Sequence, residues 1–172
     1  MQRFRDERDA ALESYSEAQR LFRAVGAKLG EANVLGSQLR LKMLNDGNIA
    51  NGEHSLLQLI EIRQSIRDVF SEGADYFNFS VTLTVMHEWG KAIQYCLQAR
   101  KVLERVGEEN PVEQTLRLET GIRQLREIVN YLNQDDKQSA KKLLLQARAL
   151  LIPTGEPPLF SMLDDLEKAC QK

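Results

Sequence analysis

Apart from Pro111, no proline interrupts the first 152 residues of this chain; the other three, Pro153, Pro157 and Pro158, fall in one short segment. Proline costs about 3 kcal/mol inside a helix, so a long stretch without it is free to be helical. The apolar residues use that freedom. Leu12, Tyr15, Leu21, Phe22 and Val25 recur mostly at three- and four-residue steps and stop at Gly26, a natural C-cap. The same period predicts further helices over about 29–44, 53–70, 74–87, 88–106, 110–132, 137–151 and 159–169. Breakers separate them: Asn45 to Asn48, Ser71 to Gly73, Gly107, Asn133 to Asp136 and the Pro153–Pro158 loop. Pro111 falls in a first turn, where its missing N–H is tolerated.

One segment argues against itself. Residues 76–85 are rich in β-branched and aromatic side chains and alternate over their second half, as a strand would. A lone strand has no partner in this sequence, and its flanks are helical. The expectation is therefore an all-α chain of about eight helices with short connections, which makes consecutive helices antiparallel neighbours.

Charge and length exclude several classes. The net charge of -2 gives no broad positive field, so nucleic acid is not an expected partner. No apolar run approaches the roughly 18–20 residues that span a bilayer, so no membrane is expected either. The first residues are charged and lack the apolar core of a secretory signal. Cys96 and Cys170 match no metal or redox spacing, and a reducing, cytoplasmic compartment is the default expectation. A chain of 172 residues suits a single domain over 1–172.

Self-comparison refines the picture. Ala18-Gln-Arg-Leu-Phe-Arg-Ala-Val-Gly26 aligns with Ala99-Arg-Lys-Val-Leu-Glu-Arg-Val-Gly107, an offset of 81 residues, or two units of about 40. Alternate helices carry a small residue, a larger apolar one four later, and a small one three after that: Ala11, Tyr15, Ala18; Ala92, Cys96, Ala99; Ala140, Leu144, Ala147; and, degraded, Ser55, Leu59, Ile62. Alanine lets a neighbouring helix approach and the larger side chain fills the groove beside it. A hairpin built this way leaves an apolar face that the next hairpin covers.

These residues resemble the tetratricopeptide repeat family in its longer, roughly 40-residue variety. The similarity is greatest over Ala11–Leu35. Trp89–Ala99 and Ser139–Ala147, the latter followed by Pro153, resemble second helices of the repeat. Leu35-Gly36…Leu39 and Phe79-Ser80…Leu83 match the large-small…large pattern of first helices. Spacings of 44, 37 and 48 residues between positions 11, 55, 92 and 140 are irregular for the family, and the sixth helix fits its template poorly. The first helix resembles the second half of a repeat. Either the chain begins mid-repeat as a piece of a longer array, the preferred reading, or that helix is a cap.

The resemblance implies an α–α superhelix of stacked antiparallel hairpins, closed by a C-terminal capping helix at 159–169. It implies a protein–protein interaction scaffold, holding a peptide or partner helix in a concave groove, within a larger signalling or regulatory protein. The alternative is a sensor domain that binds a short signalling peptide and switches conformation. Carried over by position, the groove side shows Asn33, Ser37 and Arg40 on the second helix and Phe77, Val81 and Thr84 on the fourth. An asparagine amide can hold a peptide backbone and an arginine can clamp a carboxylate. The plainer account of all six is solvation or packing against a neighbouring element. The apolar character of Phe77 and Val81 predicts a groove that is covered, by the 159–169 helix or by a partner helix. An exposed terminal helix would also allow homo-oligomers.

Chemistry is sparse. His87-Glu88 would need a second histidine at 91 to form a zinc helix, and that position is Lys91. Asn78-Phe-Ser80 is a chance sequon, Asp135-Asp136 and Asp164-Asp165 suit helix caps or solvated faces, and Trp89 suits packing. No cofactor, no metal site and no catalytic residue is expected, and the chain is not expected to be an enzyme.

Overall fold

The structure is a computed structural model that describes residues 2–171, with the backbone alone for 2–6. It is all-α. Among the described residues eight α-helices follow one another: α1 (Gln2–Ala24), α2 (Lys28–Asp46), α3 (Ile49–Ser65), α4 (Val69–Val85), α5 (Trp89–Leu103), α6 (Glu109–Asn133), α7 (Lys137–Leu151) and α8 (Pro157–Gln171). A single 3-10 turn, Ile152–Thr154, links the last two. Contacts group the chain into two compact units, 1–75 and 76–172, with the boundary inside α4. In the first, α1 packs on α2 and α2 on α3; in the second, α5 packs on α6, α6 on α7 and α7 on α8. Packing is mainly between sequential antiparallel neighbours. No helix among the described residues is long and apolar enough to cross a membrane.

Four of the connections share one backbone device. After α1, α3, α4 and α6 a residue enters the left-handed region: Gly26, Arg67, His87 and Asp135. The next residue then donates its N–H five residues back, Ala27 to Phe22, Asp68 to Arg63, Glu88 to Leu83 and Asp136 to Tyr131, at 2.9–3.0 Å. This 6→1 bond closes orphan carbonyls of the outgoing helix. The donor residue then accepts the first bond of the incoming helix, from Glu31, Glu72, Ala92 and Ala140 respectively. The chain thus reverses with three residues outside either helix.

One of these turns revises the sequence expectation. The third helix does not run to Phe70, and Ser71 to Gly73 is no break. The reversal comes at Ile66–Asp68, and Gly73 is buried inside α4. Asp68 supplies the N-cap: its Oδ1 accepts from the Ser71 N–H at 3.2 Å. Arg67 in the left-handed position gives no compositional cue, whereas Ser-Glu-Gly does. At the other end α3 begins at Ile49, because the Asn48 side chain accepts from the Asn51 N–H. The cap at Asp136, in the expected break after the sixth helix, accepts likewise from Ser139 at 3.0 Å, and this bond holds its carboxyl below the usual range.

The segment with strand-like composition is helical. Thr82 and Thr84 donate their hydroxyls to the carbonyls of Asn78 and Ser80, four residues back. Residues 79–84 are all buried, so the consecutive apolar side chains mark a helix enclosed on every side.

Small residues set the helix spacings. Ala92, Cys96 and Ala99 are 0%, 1% and 0% exposed, and Ala140, Leu144 and Ala147 are 0%, 3% and 0%, so the repeated pattern marks the core in α5 and α7. In α1 the matching residues Ala11, Tyr15 and Ala18 are only half-buried. Three glycines act in the same way. The Phe22 ring lies over Gly30, the Met43 thioether over Gly52 and the Leu151 side chain over Gly121, each where a β-carbon would collide.

Asp135 occupies a left-handed backbone without being glycine. Asp135→Gly is expected to raise stability by about 0.5–1 kcal/mol, or Tm by about 1–4 °C. Thermal unfolding followed by circular dichroism measures it.

Candidate functional site

The expected groove residues on α2 share one line. Asn33, Ser37 and Arg40 stand four and three residues apart, all exposed, and Leu44, 36% exposed, extends the line one turn further. The Ser37 hydroxyl donates to the Asn33 carbonyl at 3.1 Å, so it is turned along the helix. On α4, Phe77 is half-buried, whereas Val81 and Thr84 are enclosed at 2% and 0% exposure. The Thr84 hydroxyl is spent on the Ser80 carbonyl. Solvent therefore reaches Asn33, Ser37, Arg40 and part of Phe77. The helix at 157–171 packs its buried Leu159, Met162, Leu163 and Leu166 in the second unit, where α8 meets α7 and α6. Arg148 clamps it there through Asp164 at 2.6 Å and Glu167 at 2.7 Å.

The sequence reading passed over the residue that organises the first unit. Arg63, on α3, has a side chain only 5% exposed. Its Nε donates to Asp75 Oδ2 at 2.8 Å, its Nη1 to Asp68 Oδ2 at 3.2 Å and its Nη2 to Asn33 Oδ1 at 3.0 Å. One guanidinium thus ties α2, α3, the α3–α4 turn and the start of α4. Beside it, the Gln64 amide donates to Glu72 at 3.0 Å. Gly36 lies beside this clasp, where a β-carbon would meet Leu59 at 3.4 Å and the Asp75 carboxylate at 3.6 Å, ordinary contact distances. Burial pushes Asp75 above the ordinary carboxylate range against the pull of Arg63. The Asn33 amide oxygen is committed to the clasp, which fixes the side chain at the head of the exposed line. A cue was present: Leu56, Leu59 and Ile60 are the buried stripe of α3, and Arg63 takes the next position on it.

Two surface depressions lie in the same unit. A cleft of about 360 Å³ opens where α2 ends and α3 begins, between Met43, Asp46, Asn48, Asn51, His54 and Ser55. A shallower one of about 560 Å³ lies at the turns, with Lys28, Leu29, Ile66 and Asp68 on its walls. His54 faces solvent inside α3, at 3.2 Å from the Gln58 amide. His87 lies in the turn after α4, and its ring lies 5.0 Å from that of Trp89. In the sequon, Ser80 is wholly buried and donates to the Ala92 carbonyl at 2.7 Å.

Cys96 donates its thiol to the Thr115 carbonyl at 3.1 Å. Burial, helped by the charge of Glu119, pushes it up to about 12. The thiolate that attacks electrophiles is therefore scarce at neutral pH. Among the described residues no group of three or more His, Cys, Asp or Glu is placed to hold a metal ion. No family model matches this chain, and neither the curated proteins nor the solved structures provide a match.

Two expected outcomes follow from the clasp and the thiol. Arg63→Met strands the Asp75 carboxylate and is expected to cost about 3–5 kcal/mol. Adding Asp75→Asn should recover part of that loss, measured by urea unfolding of the single and double variants. Iodoacetamide at mildly alkaline pH should leave Cys96 unlabelled in the folded chain and label it in urea, as peptide mass spectrometry would show.

Proposed function

We propose that this chain is a protein-binding module of the tetratricopeptide kind, whose stacked hairpins hold a peptide or partner helix along the exposed face of α2. The observation that carries the reading is the line Asn33, Ser37, Arg40 and Leu44, open to solvent on a helix that Arg63 ties to α3 through Asn33. A ligand gains affinity from such a line because the protein side is ordered before binding. Arg40 supplies a positive donor fork for a carboxylate, Ser37 and Asn33 supply short polar contacts, and Leu44 offers an apolar end. The four recurring turns and the buried small-large-small pattern in α5 and α7 support stacking of the tetratricopeptide type. In this reading the chain is a scaffold or sensor segment of a regulatory assembly, works in the cytoplasm and performs no catalysis itself. In this reading the ligand's contacts lie on α2, since Val81 and Thr84 are buried.

The test is a comparison of partners captured from the native host by the unaltered chain and by Arg40→Glu, identified by mass spectrometry. A charge reversal at a direct contact is expected to weaken retention about tenfold or more, equivalent to roughly 1.4 kcal/mol. Equal retention of the same partners by both chains removes the α2 face from the proposal.

A further inference from the structure

The cleft where α2 ends and α3 begins is lined by Asn51 and Gly52, both in the first turn of α3. An asparagine followed by glycine is the dipeptide whose main chain most readily attacks its own side chain. Glycine has no β-carbon, so its nitrogen reaches the preceding carboxamide carbon without obstruction. Asn51 is exposed, and the open cleft brings water to it. Asp46-Gly47, on the same cleft, is held differently. Asp46 Oδ1 accepts from the Asn48 N–H at 2.9 Å, and a carboxylate is a poor electrophile until it is protonated.

The helix gates this chemistry. The Gly52 N–H donates to the Asn48 carbonyl at 3.1 Å, and the Asn51 N–H donates to the Asn48 side chain at 3.0 Å. A nitrogen bound in this way is a poor nucleophile until the turn opens. Both bonds belong to a helix end, which opens more often than a helix middle. Gly52 is also where the two helices come close, with the Met43 thioether lying where its β-carbon would be.

We propose that Asn51-Gly52 is a modification site, at which Asn51 loses its side-chain amide to water and becomes aspartate or isoaspartate when the first turn of α3 opens. The Gly52 nitrogen gives up its proton and bonds to the Asn51 side-chain carbon. The bond from that carbon to the amide nitrogen breaks, and ammonia leaves with the proton. Water from the cleft then opens the cyclic imide at one of its two carbonyls. Cleavage at the former side-chain carbonyl gives aspartate. Cleavage at the main-chain carbonyl leaves the chain running through the side chain, as isoaspartate. The two products act oppositely on the fold. The first turn of α3 holds no acidic side chain, so an aspartate at 51 meets the positive end of the helix unopposed. Isoaspartate inserts a carbon into the main chain directly before Gly52. That breaks the bond to Asn48 and carries Gly52 away from the Met43 thioether. The α2–α3 contact therefore loosens as the protein ages, whatever the exposed face of α2 binds.

Prolonged incubation of the full, folded chain at mildly alkaline pH tests it. Trypsin, cutting after Lys42 and Arg63, releases residues 43–63 as one peptide. Fragmentation then assigns the mass gain of amide-to-acid conversion among Asn45, Asn48 and Asn51, and methyl transfer by an isoaspartyl methyltransferase reports isoaspartate. Isoaspartate formed at Asp46 carries no mass gain and is told apart by it. Conversion is expected at Asn51 first, with both acidic products present. Asn48→Ala removes the side-chain cap and is expected to speed conversion at Asn51 about fivefold. Asn48→Asp keeps the cap and should leave the rate near that of the unaltered chain. Conversion at Asn51 no faster than at Asn45 overturns the proposal. A rate at Asn51 that Asn48→Ala leaves unchanged overturns the gate, as does one that Asn48→Asp raises equally.

Discussion

The first unit depends on one guanidinium. Arg63 sits where a leucine would continue the apolar stripe of α3, and its three hydrogen bonds reach three other segments. Burying an arginine is costly unless its donors are satisfied, and a buried pair adds little net stability over a well-packed apolar core. What it adds is geometry. A leucine there would be content with several helix offsets, whereas the planar fork accepts only one placement of Asp75, Asp68 and Asn33. The exposed line on α2 inherits that register through Asn33. Burial pushes the Asp75 carboxyl above its usual range despite the attraction of its cation.

The turns distribute a second constraint. Each of the four reversals places one residue in the left-handed region and one N–H on a carbonyl five residues back. Such a turn is short and stiff, so the incoming helix leaves in a direction fixed by backbone bonds rather than by loop composition. Side chains then adjust the separation. Where alanine or glycine faces the neighbour, the large residue opposite sinks in, as Phe22 does over Gly30 and Met43 over Gly52.

Much of the fold was legible in the residues and less of the site. Periodicity located all eight helices, because burial on one face writes itself into spacing, and the repeated alanines of α5 and α7 marked the core. The α3–α4 boundary was misplaced because its turn is Ile66-Arg67-Asp68, where backbone geometry and an aspartate cap do what glycine does elsewhere. Residues 76–85 looked like a strand because threonines in a buried helix hide their hydroxyls on carbonyls four residues back, a bond that composition does not display. Of the six groove residues, exposure distinguishes Asn33, Ser37 and Arg40 from Val81 and Thr84. Position within a helix predicts a face, but what lies over that face depends on contacts that no local window contains. Arg63 was overlooked because a charged residue on an apolar stripe looks like an error in the pattern until its partners are seen, and they come from 30 residues earlier and 12 later.

The Leu151 side chain rests where Gly121 would carry a β-carbon. The two residues are therefore coupled. A larger residue at 121 displaces the leucine, and a smaller one at 151 opens a void beside an unshielded backbone. Substituting both together is the less costly way to change the α6–α7 crossing. Such paired substitutions, invisible to any single-site comparison, would be the trace that this contact leaves across diverged sequences.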